Sequence, residues 1–400
     1  MTMEFTRRTI VAAGAATLAM PAILRAQPAA VKIGLIHPVT GALAYGGQLC
    51  RLGGQTAVED INAGGGIKSM GGAKLEALLG DAQGRPDIAA SLVDQMAEQG
   101  AAGFTGCFAS AIALAATQEA AKYNLPFSID SGIADSITAR GLKNVFRLFP
   151  TGSATTTDAV AALDAINKKA GSPAKTAVIV HEDGEFGTST AKLLSPKLEA
   201  IGIHVAETIP HATPTRDFTN IVLRINAAKP DLVIPIDYNN EYVLLARTLV
   251  QQKADLVAIF SVAGGGFNLR FVREQPAIAD NIIDFNHWYN PRSPQAPAFI
   301  KRFADKGALI GFEVLFGYFA VRFLADAMER AGSADKEKVI DALSTSTYSD
   351  SLLTYGPTKM VDGQNQNAHA TALQAQKGDI YVVFPEQFAN ATVVFPRPKA

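Results

Sequence analysis

The chain has few cysteines, a single tryptophan and almost no net charge, and these shortages exclude whole classes of protein. Two cysteines in 400 residues, Cys50 and Cys107, cannot build a disulfide framework. They form one bridge or stay as two buried thiols, and sequence supplies no distance to choose between these. A formal net charge of -1 leaves no basic surplus to hold nucleic acid by counterion release. Past the first 26 residues no apolar run reaches the roughly 20 residues that span a bilayer, so the chain is not read as an integral membrane protein. Catalytic signatures are missing too, with no GxSxG, Walker A loop, GxGxxG or HExxH. His181-Glu182-Asp183-Gly184-Glu185 falls one residue short of the last of these. No cofactor and no metal site is called for.

What is present suits an exported globular protein. Thr6-Arg7-Arg8 precedes a short Ala/Gly/Thr-rich stretch to Leu24-Arg25, the pattern of a twin-arginine export signal over residues 1–26. No cysteine stands at the junction to carry a lipid, so the mature chain is expected free in the periplasm. With 48% hydrophobic and 18% charged residues it can bury large cores, and its length calls for two domains.

Strands and helices alternate along most of the chain. Val31–Ile36 is an apolar strand, followed by a helix to about Asn62. Lys74–Gly80, Ala102–Gly106 and Pro126–Ile129 are further strands, separated by helices from Pro86 and from Ser110. After Phe146–Pro150 the pattern restarts. Strands are expected at Thr176–Val180, Ile203–Ile209, Asp231–Ile236 and Leu256–Phe260, and one more at Ile282–Phe285. Helices are expected at Thr151–Ala170, Glu185–Ala200, Arg216–Ala228, Ala298–Gly307, Phe312–Ala331 and Lys336–Leu343. Ile380–Phe384 and Thr392–Phe395 read as strand pieces in the tail. Two successive βα runs with near-continuous apolar strands predict an α/β fold of two doubly wound parallel-sheet lobes with a ligand cleft between them. Ligands of open α/β sheets sit beyond the carboxyl ends of strands, which selects the loops after Ile36, Gly106, Ile129, Val180, Ile236 and Phe260. Gly264-Gly265-Gly266 in the last of these brings backbone near a ligand or serves as a plain turn. His37 with Asp81 and Asp130 can be drawn as an acid–base set, although sheet tips are polar in any α/β fold.

Several segments resemble the branched-chain amino-acid (Leu/Ile/Val) binding proteins of bacterial ABC importers, the type I periplasmic binding fold. They are Ile33–Ile36 with Thr40-Gly41, Ala57-Val58-Glu59-Asp60-Ile61-Asn62-Ala63-Gly64-Gly65-Gly66-Ile67, the strand-to-Ser110 loop, Phe146-Arg147, Asp183–Gly187, Asp217-Phe218 and Lys229–Val233. The resemblance implies two lobes joined by three crossovers. Lobe one would hold residues 27–150 plus 287–365, and lobe two 151–286 plus 366–400.

The resemblance also implies the site. Ser110, beside Phe108 and Ala109, stands where the family holds the ligand carboxylate. Ser131, Gly132 and Ile133 follow, with isoleucine in place of a threonine. Phe186 replaces a tyrosine, Tyr238 matches one, and Ala263 stands at or beside the acid that pairs with a ligand ammonium. Tyr45 joins Phe108, Phe186 and Tyr238 as candidate lining. Burying an ammonium without acceptors costs several kcal/mol, so the expected ligand is a small carboxylate with an aromatic or branched apolar body and no ammonium. Asp130 or Asp237 replacing the lost acid would restore amino-acid binding as the alternative. The expected partners are that small organic acid and the permease subunits of an ABC importer in the inner membrane, with the protein itself a monomer. A ligand sensor of the same fold is the alternative role, and an enzyme using His37 is the rival from another class.

Overall fold

A computed structural model of the protein describes residues 28–398, so the export signal read over residues 1–26 lies outside the described residues. The first sheet is built from β1 (Val31–His37), β2 (Leu75–Asp81), β3 (Phe104–Gly106), β4 (Phe127–Ile129) and β5 (Val145–Arg147). The second takes β6 (Thr176–Glu182), β7 (His204–His211), β8 (Leu232–Ile236), β9 (Ala258–Val262) and β10 (Ile283–Asn286). Short late strands complete them: β11 (Met360–Val361), β12 (Gln364–Asn365), β13 (Thr371–Gln376) and β14 (Asp379–Phe384). The spatial orders are β11-β12-β5-β4-β3-β1-β2 and β14-β13-β10-β9-β8-β6-β7. The first five strands of each sheet are parallel and carry the same permutation, so each lobe is one doubly wound unit. Antiparallel pairing is confined to the late strands of each sheet. The chain leaves the first sheet after β5, returns after β10 and leaves again after β12, which makes three crossings.

Helices cover both sheets: α1 (Ala44–Ala63), α2 (Pro86–Glu98), α3 (Ser110–Lys122), α4 (Ser136–Ala139), α5 (Gly152–Lys169), α6 (Glu185–Ala200) and α7 (Thr219–Ala228). They continue with α8 (Asn239–Gln251), α9 (Leu269–Glu274), α10 (Pro276–Ala279), α11 (Ala296–Ala304), α12 (Phe312–Ala331) and α13 (Lys336–Ser344). Local chemistry sets several starts: the Thr151 hydroxyl accepts from Ala154 N–H, Asp335 caps α13, and Pro86 stands in the first turn of α2. The long helix α12 is apolar nearly all round and buried on most faces. It crosses α1 at backbone contact, which two glycines permit. A Cβ on Gly53 would sit 2.2 Å from the Val314 carbonyl oxygen, and one on Gly317 1.9 Å from that of Cys50. Either side chain would force the helices apart. Ser128 Oγ adds a bond from β4 to the Ala320 carbonyl (2.9 Å).

One expectation needs correction. Thr392–Phe395 forms no strand. The side-chain amide of Gln374 takes both backbone groups of Val394 at 2.8 Å, and Gln376 donates to the Thr392 carbonyl, so side chains replace a ladder. Both cysteines are buried and free, so of the two alternatives the thiols stand. Among the described residues no helix is long and apolar enough to cross a membrane.

Candidate ligand-binding site

The carboxyl ends of the two sheets face one cavity. From the first lobe it is lined by Phe108, Ser110, Ser131 and Ile133, with Phe312 and Phe316 of α12. Phe186, Asp237, Tyr238, Ala263, Gly265 and Asn286 line the other side. Of the ten residues implied by the resemblance, seven meet here, Phe108, Ser110, Ser131, Ile133, Phe186, Tyr238 and Ala263, with Asp237 and Gly265, which the sequence also named. No lysine or arginine joins them among the described residues.

Three named residues do not line it. Ala109 is the residue before α3, buried behind Ser110. Gly132 gives its carbonyl to Arg147 Nη1 (2.7 Å) and so positions the Ile133 turn from behind. Tyr45 lies in a separate depression with Asn239, Arg247 and Arg270, because the first turn of α1 leans toward α8 and α9 rather than inward.

Arg147 explains how the loop after β4 keeps its shape. It is fully buried, and besides Gly132 its guanidinium donates to the Ala134 carbonyl, Thr138 Oγ1 and Gln364 Oε1. Desolvation lowers its pKa to about 10, which still leaves it charged at neutral pH. The loop after β3 is held by Asp130. One oxygen accepts from the Phe108 and Ser131 amides at 2.9 and 2.5 Å, and the other meets His37 Nε2 at 2.9 Å. These bonds hold Phe108 at φ +65, a left-handed conformation unusual for an aromatic. Its ring covers Gly46, where a Cβ would lie 2.2 Å from the ring. The Ser131 hydroxyl is spent on the Phe108 carbonyl (2.8 Å).

The two lobes meet through aromatic rings. Tyr238 lies 5.8 Å from Phe108 and 5.4 Å from Phe186, both tilted, so a first-lobe ring and two second-lobe rings close the roof. Beneath, Phe316 stacks on His287 (5.0 Å) and meets Phe149 edge-on (4.4 Å).

Polar groups are few. Ser110 begins α3, whose N-terminus carries no side-chain cap, and its Oγ accepts from Ala134 N–H (3.3 Å), leaving its own proton to donate. The loop from Ser261 to Gly266 carries no acid, whichever of its residues is aligned at Ala263; the carboxylate packed against it, Asp284, is engaged by Ser261 Oγ and the Gly264 amide. Asp130 is engaged as above. Asp237 is fully buried and binds His211 Nε2 of β7 at 2.8 Å, across β6 from its own strand, while its Oδ2 lacks a partner. Burial raises its pKa, and His211 offsets part of that rise. Gly265 lines the cavity through backbone, while Gly264 and Gly266 pack against the Tyr242 ring, so the triple glycine is both ligand-side backbone and turn. His37 is fully buried against Asp130 and has no face on the cavity, while Asp81 closes a turn with Val39, Thr40 and Gln83. The acid–base set is thus structural. Asn286, Phe312 and Phe316 were not foreseen. Asn286 ends a parallel strand, a position the carboxyl-end rule covers.

The chain belongs to the periplasmic binding protein family, whose model matches residues 30–379. Leu/Ile/Val-binding protein homolog 7 of Brucella melitensis is 27% identical over 382 residues, 92% of this chain and 94% of that one. Homolog 8 of Brucella abortus is 25% identical over 98% of this chain and 99% of its own. Among solved structures, the branched-chain amino acid transporter substrate-binding protein LivJ of Streptococcus pneumoniae, in complex with isoleucine, superposes with a TM-score of 0.76. It is 22% identical, covering 92% of this chain and all of that one. A solute-binding protein of an R. palustris ABC transporter, in complex with benzoate, superposes at 0.77 with 21% identity, 88% and 95% covered.

Proposed function

We propose that this periplasmic binding protein captures a small carboxylate with an aromatic or branched apolar body and presents it to an ABC importer. The observation that carries the reading is the pairing of anion donors with an aromatic cavity that has no free acid at the family's ammonium position. Ser110 and the uncapped start of α3 suit a carboxylate. Phe108, Phe186, Tyr238, Phe312 and Phe316 suit an apolar body, worth roughly 1.5–3 kcal/mol when a phenyl- or isobutyl-sized group is fully buried. An ammonium would find Ala263 where an acid is expected, and Asp130 already saturated. The lobes are taken as residues 27–150 plus 287–365 and 151–286 plus 366–400, closing on the ligand as a hinge.

One observation favours an amino acid as the second reading. Asp237 Oδ2 is buried without a partner, and an ammonium would satisfy it. Calorimetry separates the two by comparing leucine with 4-methyl-2-oxopentanoate and phenylalanine with benzoate. The acids are expected to bind and the amino acids to bind at least tenfold more weakly. Submicromolar leucine or phenylalanine with no binding of the acids would overturn the reading in favour of Asp237.

A further inference from the structure

Asn286 is the polar group in the cavity wall that neither the sequence nor the family resemblance named. It ends β10, is 4% exposed and lines the cavity opposite Ser110. Its amide cannot turn over. The Oδ1 atom accepts the His287 backbone N–H at 2.8 Å, which only an oxygen can do. The Nδ2 atom donates to Asp284 Oδ2 at 3.0 Å, which only a nitrogen can do. Asp284 is itself anchored, because Ser261 Oγ and the Gly264 amide donate to its other oxygen at 2.6 and 3.0 Å. Burial raises the Asp284 carboxyl only to about 6, so it stays an acceptor at neutral pH. One hydrogen of Nδ2 is then committed to Asp284. The second has no acceptor among the described residues, at a residue whose remaining open side is the cavity.

We propose that this second Nδ2 hydrogen is the second lobe's hydrogen bond to the ligand carboxylate. Ser110 and the start of α3 hold the anion from the first lobe, and Asn286 holds it from the other. The closed state therefore gains a contact that an open cleft lacks, which is the differential affinity that closure requires. Asp284 acts as the positioning residue that fixes which face of the amide the ligand meets. The assignment rests on the acid-binding reading above.

The test uses the intact mature protein with benzoate and its neutral isostere benzamide as probes, titrated by calorimetry. In Asn286→Asp the group facing the ligand becomes an acceptor. It should repel the carboxylate and accept from the carboxamide nitrogen, so benzoate affinity should fall at least 100-fold while benzamide holds or gains. Asn286→Ala removes the donor without adding repulsion and should weaken benzoate about tenfold, which covers the case in which the aspartate variant does not fold. A purely structural role for Asn286 would weaken both probes alike. An unchanged benzoate-to-benzamide ratio in both variants overturns the assignment while leaving the acid reading in place. Wild-type protein that binds leucine and no acid overturns the acid reading, and this assignment with it.

Discussion

Glu313 offers a direct quantitative check on the structure. It stands in the first turn of α12, between Phe312 and a helix face that lines the cavity, and is fully buried. Neither carboxyl oxygen meets a hydrogen-bond partner beyond its own backbone. Burial is the main cause that pushes its pKa up to about 8; its own backbone N–H pulls the other way and the Asp284 carboxylate adds to the rise. The unfolded chain ionises Glu313 near 4.5, whereas the folded protein keeps it protonated to about 8. The folded-state value is the raised one. Its contribution is therefore fully present below pH 4.5 and is lost as pH rises toward 8. At 1.36 kcal/mol per pH unit, the loss by pH 7 is about 3 kcal/mol. Glu313→Gln removes the ionisation and keeps the shape and the unpartnered polar atoms. It should thus be nearly neutral at pH 4.5 and stabilise by about 3 kcal/mol at pH 7. With roughly 2 cal/mol/K of unfolding entropy per residue, that corresponds to about 4 °C in melting temperature. Paired melts at pH 4.5, 6, 7 and 8 are the assay. A difference between variant and wild type that stays constant across that range would mean Glu313 is ionised in the fold, and the burial argument would fail.

Other predictions bear on the site. Ser110→Ala should weaken the preferred acid by roughly 1.5–3 kcal/mol, the range for a hydrogen bond to a charged group, as read by calorimetry; an unchanged affinity would remove Ser110 from the site. Gly46→Ala should drive the Phe108 ring off its seat and away from Tyr238, costing about 1–3 kcal/mol in stability and weakening acid binding; denaturant melts and titration report both, and wild-type values would place the ring elsewhere. His287, buried with both ring nitrogens unpartnered, has its pKa lowered by burial to about 3, so folding loses stability as pH falls from 6.5 toward that value. His287→Phe should abolish that acid-side loss, and an identical acid limb in the variant would refute it. The lobes should close on ligand, lowering the radius of gyration in scattering with saturating benzoate, and superimposable curves would count against a hinge.

How much of this was legible before the fold was known depends on how local each signal is. Glu185–Ala200 and Phe312–Ala331 match their helices residue for residue, because the apolar spacing lies within the segment and a glycine stands just past each end, at Gly202 and Gly332. Thr392–Phe395 misled for the opposite reason. Its β-branched and aromatic residues are those of a strand, but Gln374 and Gln376, far from it in sequence, take its hydrogen bonds. Within the site, chain order alone places the loops after β3, β4, β6, β8 and β9 at the carboxyl ends of the sheets, and the family resemblance picked out residues within them. Phe312 and Phe316 were not, because their place is set by a helix returning after a crossing, seated on α1 through Gly53 and Gly317. Tyr45 lies apart from the cavity on the same account, since the direction of its side chain depends on α8 and α9. The missing acid at Ala263 was readable as a letter, but its consequence was not. Whether a lost carboxylate matters depends on which other carboxylates are free. Asp130 is held by two amides and a histidine, and Asp237 is drawn by His211 across β6. Those commitments run between strands, and they turn an absence in the sequence into an argument about the ligand.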